Sequence, residues 1–152
     1  MPRTATTGDR IADRSGLLAR IQRMLGVRAL RSERDLVALV EQRLPTRAVD
    51  ALRESGLRDE EIHSIVIPRR TLAHRRARGE NLTREESDRV VRVARIAGLA
   101  EQVFGDRESA WAWLGRAKRQ FGGRSPLQLL ATETGAKLVE ELLYRIDDGL
   151  AA

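Results

Sequence analysis

The chain of 152 residues contains no cysteine, which excludes disulfides, thiolate metal sites and cysteine nucleophiles together and fits a reducing compartment. It also lacks any apolar run approaching the roughly 20 residues that span a bilayer. Its first ten residues, MPRTATTGDR, hold no signal-like apolar stretch, so the expectation is a cytoplasmic protein without a membrane partner. Aromatic residues make up only 3%, yet 41% hydrophobic and 33% charged residues is the composition of a folded chain rather than a disordered one. The length admits one sizeable core or two small ones that share a helix.

Catalytic machinery is missing as well. No glycine-rich phosphate loop follows a strand, and His63 and His74 fall in separate helices without metal-ligand spacing. Glu140 and Glu141, like Asp147 and Asp148, are adjacent in sequence, so a helix splays each pair instead of converging it as acid and base. Gly122 and Gly123 form a turn rather than a phosphate cradle. We therefore expect no enzyme, no metal site and no cofactor.

What the sequence does have is positive charge, unevenly placed. Residues 1–80 carry 17 basic and 11 acidic groups, whereas residues 81–152 carry 11 of each, so the whole net charge of +6 lies in the first half. A one-sided positive field attracts polyanions, and nucleic acid is the commonest inside a cell. Arginine accounts for 26 of the 28 basic residues, which a codon bias would explain. Such a bias does not explain the acid-free stretch of residues 69–78, RRTLAHRRAR, with five arginines and a histidine.

Apolar residues recur at spacings of three and four almost throughout, which predicts an all-α fold. Ile11, Leu17, Leu18, Ile21, Met24 and Leu25 mark a first helix ending at Gly26. Ser32 caps a second, carrying Leu36, Val37, Leu39 and Val40 toward Leu44 and Pro45. Thr46 opens a third that closes at Gly56, and residues 58–65 form a short fourth. Pro68 sets the start of a fifth over 69–78, ended by Gly79. Thr83 and Glu86 have capping-box spacing and open a long helix to Phe104, ended by Gly105. Asp106 caps a helix with Trp111, Trp113 and Leu114. Ser125 caps another with Pro126 in its first position, and a last helix covers 137–147.

The segment GLRDEEIHSIVIPRRTLAHRRARG reads as two short helices joined by a turn, the layout of a helix-turn-helix. In that arrangement Ile62, Ile65 and Leu72 pack the pair together. Arg69, Arg70, His74, Arg75 and Arg78 are left as candidate DNA contacts, and Arg70, His74 and Arg78 share a stripe at spacings of four. Guanidinium forks there can bind guanine edges or grip phosphates, although a solvated arginine-rich helix would show the same pattern.

Further along, VFGDRESAWAWLGRAKRQFGGRSPLQLLATETGAKLVEELLYRIDDG resembles the toxin-binding domain of the Xre/MbcA/ParS antitoxins. The matching features are Phe104 with Gly105, Ala110 with Trp113 and Leu114, the loop at 123–127, and Gly135 before a helix. Upstream, MLGVRALRSERDLVALVEQRLPTRAVDAL and IPRRTLAHRRARGENLTREESDRVVRVARI resemble the same family's helical first half, so the likeness spans about residues 24–150. Two features depart from it: RAKRQF replaces a proline-asparagine segment, and Trp111 is additional. On a helix Trp111 points about 200° from Trp113. Trp113 and Leu138 are expected in the core, whereas Trp111 lies either at a protein interface or half-buried under a neighbouring helix.

The resemblance implies an Xre-like helix-turn-helix region at 31–104 after an N-terminal extension at 1–30, and a toxin-binding domain at 105–152. It further implies a RES-domain toxin that destroys NAD as partner. Trp111, Tyr144, Asp147, Asp148, Leu150, Ala151 and Ala152 are the candidate toxin contacts, with the terminal residues acting as a peg or else forming a frayed end. Operator DNA would be bound by a homodimer, or by a larger hetero-oligomer with the toxin, matching palindromic sites. A free-standing regulator without a toxin is the rival reading.

Overall fold

A computed structural model describes residues 13–149. Among these, every regular element is helical: α1 Arg14–Leu25, α2 Glu33–Gln42, α3 Arg47–Ser55, α4 Asp59–Glu61, α5 Arg69–Arg78, α6 Arg84–Phe104, α7 Arg107–Gly115, α8 Pro126–Leu129 and α9 Glu133–Asp147. A π-helical turn, Ile62–Val66, continues α4, and a 3₁₀ turn, Arg119–Phe121, precedes α8.

Local chemistry sets most of these boundaries. Asp13 caps α1 through Gly16 N (3.0 Å), Asp106 caps α7 through Ser109 N (2.7 Å), and capping boxes open α2 at Ser32, α6 at Thr83 and α8 at Ser125. Ile11, assigned to the first helix by its periodicity, lies outside the described residues.

The 21-residue α6 is the axis of the molecule, and α1, α2, α7 and α9 all pack against it. Val90, Val93, Ala94, Ile96, Ala97 and Ala100 are fully enclosed there, so α6 is apolar on nearly all sides of its middle turns, as a central helix must be. Polar side chains pin the elements around it. Arg92 reaches Asp88 (2.8 Å), Glu133 (3.0 Å) and the Leu130 carbonyl (3.2 Å), while Glu101 takes Arg23 (2.6 Å) and Gln102 donates to the Asp13 carbonyl (2.8 Å). From α7, Arg107 donates to the carbonyls of Ser55 (2.7 Å) and Glu54, capping the end of α3. The two sequence halves are thus joined across one continuous apolar core.

Three expectations need correction. The last helix starts four residues before the expected 137, at Glu133 with Thr132 as cap, because Gly135 allows α9 to pass over the Leu129 carbonyl. A Cβ at Gly135 would collide with that oxygen. The buried stripe of α9 is Gly135, Ala136, Val139, Leu142, Leu143 and Asp147, and Leu138 falls off it, 48% exposed. Trp113 is half-buried rather than enclosed; Ala110 and Leu114 are the core residues of α7.

Candidate functional site

The stretch from Arg58 to Arg78 folds as a short helix continued by a π turn, then a second helix. Ile62, Ile65 and Leu72 are all buried. The first helix loosens into the π turn, where Ile67 N returns to the Ile62 carbonyl (3.0 Å) and His63 Nδ1 lies 3.0 Å from the Ile67 carbonyl. His63 is therefore a structural residue of the turn. Pro68 then fixes the start of α5, whose first turn contains no acidic residue, and Gly79 ends it in the left-handed conformation.

The basic residues of α5 divide into two groups. The side chains of Arg69, Arg70 and His74 are exposed and make no hydrogen bond or ion pair with another described residue; Arg78 is exposed too, with only a loose approach to Glu80 (3.8 Å). Arg75 and Arg76 instead hold the helix in place. Arg75 donates through Nε to both Glu86 carboxylate oxygens (2.6 and 3.1 Å) and through a terminal nitrogen to Glu80 (3.3 Å). Glu86 also accepts from Thr83 N (2.8 Å), so one carboxylate closes the α6 capping box and ties down the end of α5. Burial alone would raise the Glu86 pKa, but the hydrogen bonds from Arg75 and Thr83 outweigh it and hold the carboxyl below its usual range.

On the other flank, Arg76 binds Asp50 of α3 (2.6 Å). Arg53 extends that chain to Asp50 (2.7 Å) and Asp59 (2.5 Å), and it holds the Asp59 carboxyl low. Helix α5 is clamped from both sides, with Arg69, Arg70 and His74 outside the clamp. The second role of Glu86 was not read from the sequence. Its only local signal is the capping-box spacing, which says nothing of Arg75.

The expected partner-facing residues are scattered. Trp111 lies partly buried on Gly56 at the end of α3, so close that a Cβ on Gly56 would stand 2.9 Å from the indole; its Nε1 is buried without a hydrogen-bond partner. Trp113 stacks obliquely on Phe104 (centroids 5.4 Å apart, 41°), with the Lys118 ammonium 4.9 Å from its ring. Tyr144 is exposed on the edge of a groove between α1, α2, α6 and α9, near Leu17, Leu36 and Glu140; burial and then Glu140 raise its pKa. Asp148 is exposed, whereas Asp147 is buried at 2% exposure. Asp147 follows Val139 and Leu143 at spacings of four, so the helix turns it inward. Leu150, Ala151 and Ala152 lie outside the described residues.

Comparison with known proteins agrees with this geometry. Residues 35–95 match the family described as the antitoxin Xre-like helix-turn-helix domain, and residues 99–149 match the antitoxin Xre/MbcA/ParS C-terminal toxin-binding domain. A protein of Pseudomonas putida named antitoxin Xre is 36% identical over 131 residues, covering 86% of this chain and 82% of its own length. Proteins of the same name from Photorhabdus laumondii (32% over 120 residues, 77% of this chain and 81% of its own) and Yersinia enterocolitica (40% over 85 residues, 55% and 57%) are also similar. Both the helix-turn-helix and the toxin-binding domain are present on one helical core, and the chain belongs to the Xre antitoxin family.

Proposed function

We propose that this antitoxin neutralises a RES-domain, NAD-degrading toxin by covering its active site, and that it represses its own operon through α5. The observation that carries the DNA half is the division of labour on α5: Arg75 and Arg76 are consumed in holding the helix, while Arg69, Arg70, His74 and Arg78 are left for a duplex. Helix α5 enters the major groove, its arginines reading guanine edges or gripping phosphates. A homodimer places two such helices on a palindromic operator.

Occlusion of a toxin requires no chemistry from the antitoxin, so the chain acts as a binding protein, not as an enzyme. The partner surface centres on α9 and the residues after it, where Tyr144 and Asp148 are exposed. Asp147 is turned inward from that surface, its Oδ1 buried without a hydrogen-bond partner. The test is coexpression with the product of the neighbouring gene. Copurification, restored NAD levels and repression of a reporter behind the chain's own promoter are expected. Repression without a copurifying partner would favour a free-standing regulator and refute the antitoxin reading.

A further inference from the structure

A second acid-free stretch lies in the toxin-binding half. From Ser109 to Thr132 the sequence has no Asp or Glu, but it has Arg116, Lys118, Arg119 and Arg124. None of these four forms an ion pair with a described residue, and Arg116, Arg119 and Arg124 are exposed. Their loop is held in shape: Lys118 N donates to the Arg124 carbonyl (3.0 Å), Gly123 N donates to the Lys118 carbonyl (2.9 Å), and Gly122 and Gly123 turn the chain with φ of 65° and 82°. Burial, and after it the charge of Arg116, lower the pKa of Lys118, whose ammonium lies 4.9 Å from the Trp113 ring.

The position of this loop is decisive. It runs directly into α8, and α8 packs on the π turn Ile62–Val66, which leads through Pro68 into α5. Gly123 and Ser125 form one wall of a cleft whose other wall is Arg58 and Ser64 of the helix-turn-helix. Glu60 and Glu61 share that rim, but Glu61 is neutralised by Arg58 (2.8 Å). The loop and α5 therefore hang from the same short segment. A protein partner would want exposed apolar anchors, and among the described residues the exposed large hydrophobic side chains, Val37, Leu138 and Tyr144, are on α2 and α9 instead. A cationic loop without such anchors suits a polyphosphate backbone.

We infer that residues 116–124 form a second nucleic-acid contact, in which Arg116, Arg119 and Arg124 grip phosphates flanking the site occupied by α5. The inference rests on the reading of α5 as a DNA-binding helix, so the experiment treats the two separately. The full-length protein, Arg119→Gln/Arg124→Gln and Arg70→Gln/His74→Gln are titrated by anisotropy against a duplex from upstream of the gene and against an unrelated duplex, at several salt concentrations. Thermal melts of both variants should match the parent, because the altered side chains are exposed. The loop variant should bind both duplexes about 10- to 30-fold more weakly near 0.15 M salt, with a salt slope shallower by about 2 and sequence preference retained. The α5 variant should lose that preference. Parental slope and affinity in the loop variant, with preference lost in the α5 variant, would overturn the loop contact alone. Parental binding by both variants would overturn the helix-turn-helix reading as well. Intact DNA binding with loss of toxin capture in the loop variant would assign the loop to an acidic protein surface and refute the inference.

Discussion

Replacing Glu86 with alanine separates two physical accounts of α5, because they predict opposite signs. The substitution removes one negative charge near a basic helix, so electrostatics alone predict tighter DNA binding. The clamp predicts weaker binding, since Glu86 fixes the end of α5. The stability cost follows from the hydrogen bond and the ion pair that the substitution takes away. Removing the acceptor for Thr83 N (2.8 Å) opens half of a capping box, worth about 0.5–1 kcal/mol. Breaking a fully buried ion pair costs about 3–5 kcal/mol. Here the Arg75 side chain is 19% exposed and keeps Glu80 at 3.3 Å, so about 1–2 kcal/mol is the appropriate share. The sum, about 1.5–3 kcal/mol, corresponds to a Tm lower by about 3–12 °C for a chain of this size. Glu86→Gln keeps the cap and loses the charge, and should fall about halfway. Melts followed by circular dichroism give the stability, and anisotropy below the melting range gives DNA affinity. A parental Tm together with equal or tighter DNA binding in Glu86→Ala would refute the clamp.

Further outcomes are expected. Arg70→Ala and His74→Ala should each cost about 1–3 kcal/mol in operator binding where they read a base, or reduce the salt slope by about 1 where they hold a phosphate; anisotropy across a salt series distinguishes the cases. Gly135→Ala drives a methyl group into the Leu129 carbonyl, so a Tm lowered by about 10 °C or more, or failure to fold, is expected, and a parental melt would show that α9 starts elsewhere. Because Glu86 has a folded pKa below the ordinary value of about 4.5, its contribution is fully present above that value and is lost as pH falls through the depressed folded value. Below that ordinary value the Tm of the parent should therefore drop more steeply with falling pH than that of Glu86→Gln, a difference read from melts at each pH. Truncation before Asp148 should leave DNA binding intact and weaken protection of NAD in the presence of toxin; full protection by the shortened chain would place the inhibitory contact elsewhere on the domain.

Much of the fold was legible because its signals are local. Pro68 and Gly79 bracket α5 at the expected residues, and Thr83 with Glu86 opens α6 as their spacing requires, since caps and φ preferences act within one turn of chain. The family was legible for a related reason: the glycines at 105, 122–123 and 135, with Trp113 among them, survive as an ordered series of short motifs. Other features depended on residues far apart in sequence. Periodicity proposes a face for α9, but only packing on α6 and α8 decided that Asp147 lies inside and Leu138 outside. An early glycine reads as a break, whereas Gly135 is a close crossing over Leu129 and belongs to the helix. The arginines of α5 are alike in sequence, yet Arg75 and Arg76 are spent on Glu86 and Asp50, 11 and 26 residues away, while Arg69, Arg70 and His74 stay exposed. By itself the sequence determined the helices, their caps and the excess of charge. Which cations remain available to a partner was decided by tertiary structure, because an ion pair forms only where folding brings the acid within reach.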